Sequence, residues 1–96
     1  MKTLQEIKQI LFKHKQRLFA RYPIKSIAVF GSYARNEQQS KSDVDILVDV
    51  DGNVGVRFID LANEIEDIIG IKVDVVSKNA MKHKYYKSIE QDLVYV

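Results

Sequence analysis

The residues best suited to chemistry lie in one stretch, Phe30 to Asp51. Gly31 and Ser32 follow a first apolar run, and Asp43 and Asp45 precede a second, in the spacing G-S-x10-D-x-D. A glycine lets the backbone approach a phosphate closely, and a serine hydroxyl can hydrogen-bond to it. Carboxylate oxygens are ligands for hard ions such as Mg²⁺. The stretch therefore indicates a phosphate cradle beside two carboxylates that hold a divalent cation.

The two aspartates share one face if the segment from Asp43 to Val50 is a strand. Side chains alternate along a strand, so the Cα atoms of Asp43 and Asp45 lie about 6.6 Å apart on one side. Two like charges this close repel, and one carboxyl should stay partly protonated unless a cation is bound. Asp49 and Asp51 have the same parity, but roughly 13 Å separates Asp45 from Asp49, too far for one metal centre. We interpret Asp49 and Asp51 as strand-end and turn residues.

A third carboxylate, Asp74, lies within the apolar run from Ile71 to Val76, which we predict to be a strand. A lone aspartate in the interior of such a strand has to be paired, hydrogen-bonded or bound to a metal. The alternative to a role in chemistry is a structural ion pair with Lys72 or another cation.

Other polar residues allow both a functional and a structural interpretation. The Arg35 fork matches phosphate oxygens, but a solvated charge or a structural ion pair explains this residue equally well. The same ambiguity applies to Lys41 in the polar connection. His14 lies on the apolar side of a predicted helix, where a partly buried histidine is more common than a ligand. We interpret Tyr33 as a packing residue.

Helix and strand periodicities place these residues in a small α/β arrangement. Thr3 and Glu6 fit a capping box, Pro23 and Gly70 mark helix ends, and Asp51-Gly52-Asn53 fits a turn. The predicted elements are a helix from Thr3 to Tyr22, a strand from Ile24 to Phe30, a turn or short helix from Gly31 to Asn36, strands from Asp43 to Val50 and Ile71 to Val76, a helix from Val56 to Ile69, and a tail with a short helix and an edge strand from Leu93 to Val96.

Composition bounds the class of protein. The chain has 96 residues, of which 46% are hydrophobic, with a net charge of +2 and no cysteine. We expect one small domain over residues 1–96, without disulfides or thiol chemistry. No apolar run approaches the roughly 20 residues of a membrane span, so a soluble cytoplasmic protein without a membrane partner is the expectation. The charge is too weak to indicate nucleic-acid binding by itself.

The strings G-S-Y-A-R-N and S-D-V-D-I-L-V, between hydrophobic strands, resemble the signature of the polymerase-β-type nucleotidyltransferase superfamily. They are most similar to its smallest members, the minimal nucleotidyltransferase (MNT) domains that are paired with HEPN proteins in prokaryotic toxin–antitoxin systems. The resemblance spans about Ile24 to Val96. One departure is Asn36, where the family usually has glycine. Asparagine tolerates the left-handed conformation, so the turn should survive.

The resemblance implies a polymerase-β-like fold of the α/β (α+β) class, a small mixed sheet with helices packed on it. It also implies transfer of AMP from ATP to a hydroxyl, with two Mg²⁺ ions as cofactors. The acceptor would be a tyrosine of a cognate HEPN RNase toxin, in a hetero-oligomer with that toxin. The catalytic metal ligands would be Asp43, Asp45 and Asp74, and the nucleotide-binding residues would be Gly31 and Ser32, with Arg35 as a further candidate.

Two alternatives stay open. One is a non-catalytic antitoxin that covers its toxin; the retained D-x-D and Asp74 argue against it. The other is transfer to a small molecule or an RNA 3′ end, against which the small size argues. The basic tail around Lys82, Lys84 and Tyr85 could touch RNA, an acidic partner or the toxin, but a solvated helix face is favoured and a nucleic-acid partner is not expected. No Walker-type motif is present, which excludes a P-loop enzyme.

Overall fold

The structure is a computed structural model and describes residues 2–52 and 55–96. Short 3₁₀ turns at Lys78–Ala80 and Glu90–Asp92 flank the last helix. The other elements, in chain order, are α1 (Leu4–Arg21), β1 (Ile24–Phe30), α2 (Gly31–Ala34), β2 (Val44–Val50), α3 (Arg57–Ile69), β3 (Val73–Ser77), α4 (His83–Ile89) and β4 (Val94–Tyr95). Asn53, the last residue of the predicted turn after β2, lies outside the described residues.

The described strands form a mixed sheet in the order β3-β2-β1-β4. β1 is antiparallel to both β2 and β4, whereas β2 and β3 are parallel. A parallel pair needs a crossover connection, and α3 supplies it. The predicted small mixed sheet with helices packed on it is therefore confirmed.

One face of the sheet, called the helical face below, packs against α1 and α3. Side chains alternate along each strand, so every second strand residue enters this core. The fully buried members are Ile7, Leu11 and Leu18 from α1, Leu61, Ile65 and Ile69 from α3, and Ile27, Val29, Val44, Ile46 and Val48 from the strands. Tyr33 is buried in the same core, which confirms its interpretation as a packing residue.

The opposite face, called the acidic face below, carries a smaller apolar cluster. Phe30, Leu47 and Ile89 are its buried members, and half-buried Tyr86 and Leu93 pack against them. α4 and its flanking turns therefore cover part of this face. Asp45 of β2 is half-buried and Asp74 of β3 is exposed on the same sheet.

Local signals place most element ends within two residues of the prediction. The capping box is confirmed, because the Thr3 hydroxyl accepts from the Glu6 N–H at 3.2 Å and the Glu6 carboxylate accepts from the Thr3 N–H at 3.0 Å. Gly70 ends α3 in the left-handed conformation, with φ of 83°. The third strand was predicted two residues too early, since it begins at Val73 rather than Ile71.

Two further observations bear on the sequence predictions. His14 is half-buried, and its Nδ1 donates a 2.9 Å hydrogen bond to the carbonyl of Ile10 in its own helix, in agreement with a partly buried structural residue. Across the described ranges, no helix combines the length and apolarity needed to cross a membrane.

Candidate active site

Strand pairing sets Asp45 and Asp74 side by side. β2 and β3 are parallel, and Asp45 is the direct register partner of Asp74. Adjacent strands lie about 4.8 Å apart, and paired residues share a face. Val75, the neighbour of Asp74, packs into the core of the helical face, whereas Val76 packs with Leu47 on the other side. By this alternation both carboxylates belong to the acidic face.

Asp43 immediately precedes β2 and has the same parity as Asp45. Its side chain is half-buried. It lines a cleft of about 420 Å³ together with Tyr33, Lys41 and Lys72. The sequence predicted that β2 would begin at Asp43; the strand begins one residue later, and the Val44 N–H that follows Asp43 donates to the Lys72 carbonyl at 3.0 Å.

The three carboxylates interact electrostatically at Asp45. Burial of the Asp45 carboxyl raises its pKa above the ordinary value, and the negative charges of Asp74 and Asp43 raise that pKa further. Arg35 opposes this effect. Within residues 2–52 and 55–96, none of the three aspartates forms an ion pair. The result is a group of negative charges without a paired cation.

The Asp45 carboxylate occupies the space that a side chain at position 31 would fill. Gly31 has a φ of 74°, which residues with a side chain rarely adopt. A Cβ built on Gly31 would overlap Oδ2 of Asp45 and lie 3.0 Å from its Cγ. Phe30, which precedes Gly31, is the β-sheet partner of Asp45. The carboxylate therefore lies directly against the backbone of the Gly31 turn.

The turn after β1 is the single helical turn α2, which contains Ser32. Ser32 is half-buried, and its side chain has no hydrogen-bond partner in the described part of the chain. The Ser32 carbonyl accepts from the Glu37 N–H at 2.8 Å, which closes the turn. Asn36 adopts a left-handed conformation with φ of 58°, so the predicted tolerance of asparagine at this position is confirmed.

Arg35 forms ion pairs within the protein. Its Nε lies 2.9 Å from Glu37 and its Nη1 lies 3.1 Å from Asp92. Hydrogen bonds to these carboxylates raise the pKa of Arg35. Arg35 thus forms the structural ion pairs that were one of its two interpretations. Its positive charge also lowers the pKa of Asp45.

Asp74 lies within β3, as predicted, but its side chain is not buried. β3 is an edge strand, and the side chain of Asp74 is exposed, so burial alone does not require a partner for it. Lys72 forms no ion pair with it among the residues described. In the described ranges, no group of three or more Asp, Glu, His or Cys side chains is close enough together to hold a metal ion. The backbone therefore brings the three aspartates to the same region, but among the described residues their side chains do not converge on one point.

The remaining candidates make no ion pair with these three aspartates among the described residues. Asp49 pairs with Lys78 at 4.0 Å, and Asp51 is exposed beyond the end of β2. Lys41 is exposed on the rim of the cleft. In the basic tail, Tyr86 packs into the apolar cluster of the acidic face and Lys87 lies 3.5 Å from Glu90.

Comparison with known proteins identifies the class. A family model described as a nucleotidyltransferase domain matches residues 11–96. A Methanocaldococcus jannaschii relative provisionally named protein adenylyltransferase MJ0128 is 55% identical over 98 residues, with both chains fully covered. The protein adenylyltransferase MntA of Thermococcus cleftensis is 42% identical, over 100% of this chain and 98% of its own. The chain belongs to the nucleotidyltransferase domain family, as its sequence motifs indicated.

Solved structures agree with this assignment. A structure provisionally described as a minimal nucleotidyltransferase superimposes with a TM-score of 0.75 and 25% identity, and covers 97% of this chain and 95% of its own. A toxin–antitoxin structure with AMP-PNP gives a TM-score of 0.69 at 20% identity over 96% of this chain and 70% of its own. The second match shows the shared fold. The predicted polymerase-β-like nucleotidyltransferase fold is confirmed.

Proposed function

We propose that the chain is a magnesium-dependent protein adenylyltransferase that moves AMP from ATP to a tyrosine hydroxyl of a cognate HEPN RNase toxin. The observation that carries this proposal is the pairing of Asp45 with Asp74 beside the Gly31 turn. Carboxylates next to a phosphate-binding turn are the groups that nucleotide transfer requires.

The donor set fits Mg²⁺. Asp43, Asp45 and Asp74 offer hard oxygen ligands, and none of them is engaged by a cation among the described residues. Burial is the main cause of the raised pKa of Asp45, and the charges of Asp74 and Asp43 add to it; a dication would relieve that repulsion. We propose that these three residues hold two Mg²⁺ ions. When bound, the metal supplies charge stabilisation at the transferring phosphoryl group.

The residues of the turn would bind the nucleotide. The Ser32 hydroxyl, which has no hydrogen-bond partner among the described residues, can bind a phosphate oxygen, and Gly31, which carries no Cβ, lets the Asp45 carboxylate lie against the same turn. We place the β- and γ-phosphates of ATP at these two residues. Arg35 can add a charge-assisted hydrogen bond from the N–H groups that Glu37 and Asp92 do not use.

The exposed carboxylate faces the acceptor. Asp74 is the most accessible of the three aspartates, so an incoming hydroxyl would meet it first. In the reaction the acceptor oxygen bonds to the α-phosphorus, the bond from that phosphorus to the pyrophosphate oxygen breaks, and the hydroxyl proton leaves through the Asp74 carboxylate. Proximity and charge stabilisation supply most of the catalysis.

A protein acceptor suits both the chain and its relatives. Thermococcus cleftensis MntA is named a protein adenylyltransferase. A fold neighbour is a chain of a complex described as the toxin–antitoxin MntA-HpeT. We infer that this chain likewise forms a hetero-oligomer with its toxin, in the cytoplasm where an RNase toxin would act.

Labelled ATP tests the proposal. The purified chain is incubated with Mg²⁺, α-labelled ATP and a candidate HEPN toxin, and the labelled residue is located by mass spectrometry. We expect AMP on a toxin tyrosine with the wild-type chain and none with Asp45→Asn. Toxin neutralisation without any label would support the non-catalytic antitoxin instead. Label on RNA or a small molecule would overturn the protein acceptor.

A further inference from the structure

The Arg35 guanidinium forms ion pairs with two carboxylates that differ in exposure and in distance along the chain. Glu37 is two residues away, and its side chain is 64% exposed. Asp92 comes from the far end of the chain, and its side chain is only 20% exposed. The two ion pairs have nearly equal lengths of 2.9 and 3.1 Å.

Asp92 is the fixed member of this pair. It ends the 3₁₀ turn Glu90–Asp92, and the next residue, Leu93, packs into the apolar cluster of the acidic face. Ile89 precedes the turn and is buried in the same cluster. The backbone on both sides of Asp92 is therefore anchored to the sheet, whereas Glu37 lies in the exposed polar connection.

The geometry leaves donors of Arg35 available. A guanidinium has five N–H groups in a planar fork. Nε is used by Glu37 and one N–H of Nη1 by Asp92, so the Nη2 group and the second N–H of Nη1 remain. An anchored fork presents these donors in one orientation, and less side-chain entropy is lost when they bind an anion.

We propose that Asp92 is a positioning residue that holds the Arg35 guanidinium beside the Gly31–Ser32 turn, ready for the triphosphate of ATP. The inference rests on the proposed function, because it assigns Arg35 to the nucleotide. It adds a residue far along the chain that does not touch substrate.

The expected effect is on nucleotide affinity. Asp92→Ala frees Arg35 from its anchor, and KM for ATP should rise about two- to tenfold, the cost of ordering one long side chain on binding. The turnover number should change less than twofold. Simple charge counting predicts the opposite direction, because removing a carboxylate makes the surroundings of Arg35 more positive and should favour phosphate. The sign of the KM change therefore separates positioning from net charge.

Glu37→Ala is the matched control. It removes an ion pair of similar length to the same guanidinium, but from an exposed and locally attached carboxylate. We expect less than a twofold change in KM for this variant. An unchanged or lowered KM in Asp92→Ala, with a fall in melting temperature alone, would overturn the proposal and leave Asp92 a structural residue. Equal effects in both variants would also overturn it.

A double-mutant cycle covers the case in which Asp92→Ala folds poorly. In an Arg35→Gln background, Asp92→Asn should have no further effect on KM, because the side chain it positions is gone. Additive effects of the two changes would contradict positioning. A wild-type chain that transfers no AMP overturns the proposed function and this inference with it, whereas normal wild-type transfer with additive variants overturns only this inference.

Discussion

The two faces of the sheet differ in what they bury. Among the described residues, the helical face is closed by α1 and α3 and fully buries eleven aliphatic side chains. In the same part of the chain, the apolar cluster of the acidic face has three buried members, Phe30, Leu47 and Ile89, and this face keeps Asp45 half-buried and Asp74 exposed. Apolar burial is the main source of folding free energy. The helical face therefore supplies most of the folding stability. The acidic face can carry carboxylates whose mutual repulsion destabilises the fold.

The largest expected effect is loss of transfer from the acidic face. Asp43→Asn or Asp45→Asn should lower the rate of AMP transfer at least about 100-fold, since each removes a charge that would hold Mg²⁺ at the reacting phosphate. The far-ultraviolet circular dichroism spectrum should stay unchanged. Wild-type transfer rates in either variant would contradict the assignment of these ligands.

Asp74→Asn sharpens the assignment of roles within the acidic face. Because Asp74 is exposed and is the residue that we propose faces the acceptor, this change should reduce turnover at least tenfold and leave the Kd for ATP within about twofold. The measurement is single-turnover kinetics beside a nucleotide-binding titration. Equal losses in turnover and affinity would mean that Asp74 binds the nucleotide instead.

Leu61→Ala tests the helical face. The side chain is fully buried in α3, and the cavity left by its truncation should cost about 2–5 kcal/mol of unfolding free energy. Urea unfolding measures this cost. At a temperature where the variant is still folded, AMP transfer should remain near wild type. A large loss of transfer in fully folded protein would break the separation between the two faces.

Gly31→Ala joins the two effects in one residue. The left-handed φ should cost roughly 1–2 kcal/mol, and the added Cβ must displace the Asp45 carboxylate. We expect both a lower urea midpoint and a loss of transfer. Gly52→Ala is the matched control, because Gly52 also has a positive φ but, chain neighbours aside, none of the described residues comes within 4 Å of a Cβ there. It should lose stability without losing transfer.

The smallest effect concerns pH. The folded-state pKa of Asp45 is raised above its unfolded value, so the stability it contributes is full at low pH and is lost as pH rises through the folded-state pKa. In metal-free buffer, Asp45→Asn should therefore gain stability over wild type as the pH rises from about 4 to 7. Urea unfolding across this range gives the difference. A stability difference between Asp45→Asn and wild type that shrinks with rising pH would contradict the predicted direction of the effect.

Local signals in the sequence predicted much of the fold. β1 has the predicted bounds, Ile24–Phe30, and the Thr3 capping box and the Gly70 helix end both form. These features depend on periodicity and on residues close in sequence. The exposure of Asp74 was not predictable in this way, because it depends on the sheet order, which makes β3 an edge strand.

The candidate site was predictable only in part. Parity within one strand relates Asp43 to Asp45, but the pairing of Asp45 with Asp74 depends on β2 and β3 being parallel neighbours in one register. The ion pair of Arg35 with Asp92 joins residues 57 positions apart. No periodicity or motif marks that contact, so Asp92 could not be singled out from the sequence.

Thermal unfolding with Mg²⁺ and ATP tests the central claim most directly, that the acidic face binds a metal and a nucleotide together. A ligand at 100 times its Kd adds about 2.7 kcal/mol of stability, which for a chain of this size raises the melting temperature by roughly 10 °C or more. We expect this rise for wild type with Mg²⁺ and ATP, and little rise for Asp45→Asn or for wild type with ATP and a chelator. An equal rise in Asp45→Asn, or none in wild type at millimolar Mg-ATP, would contradict the claim.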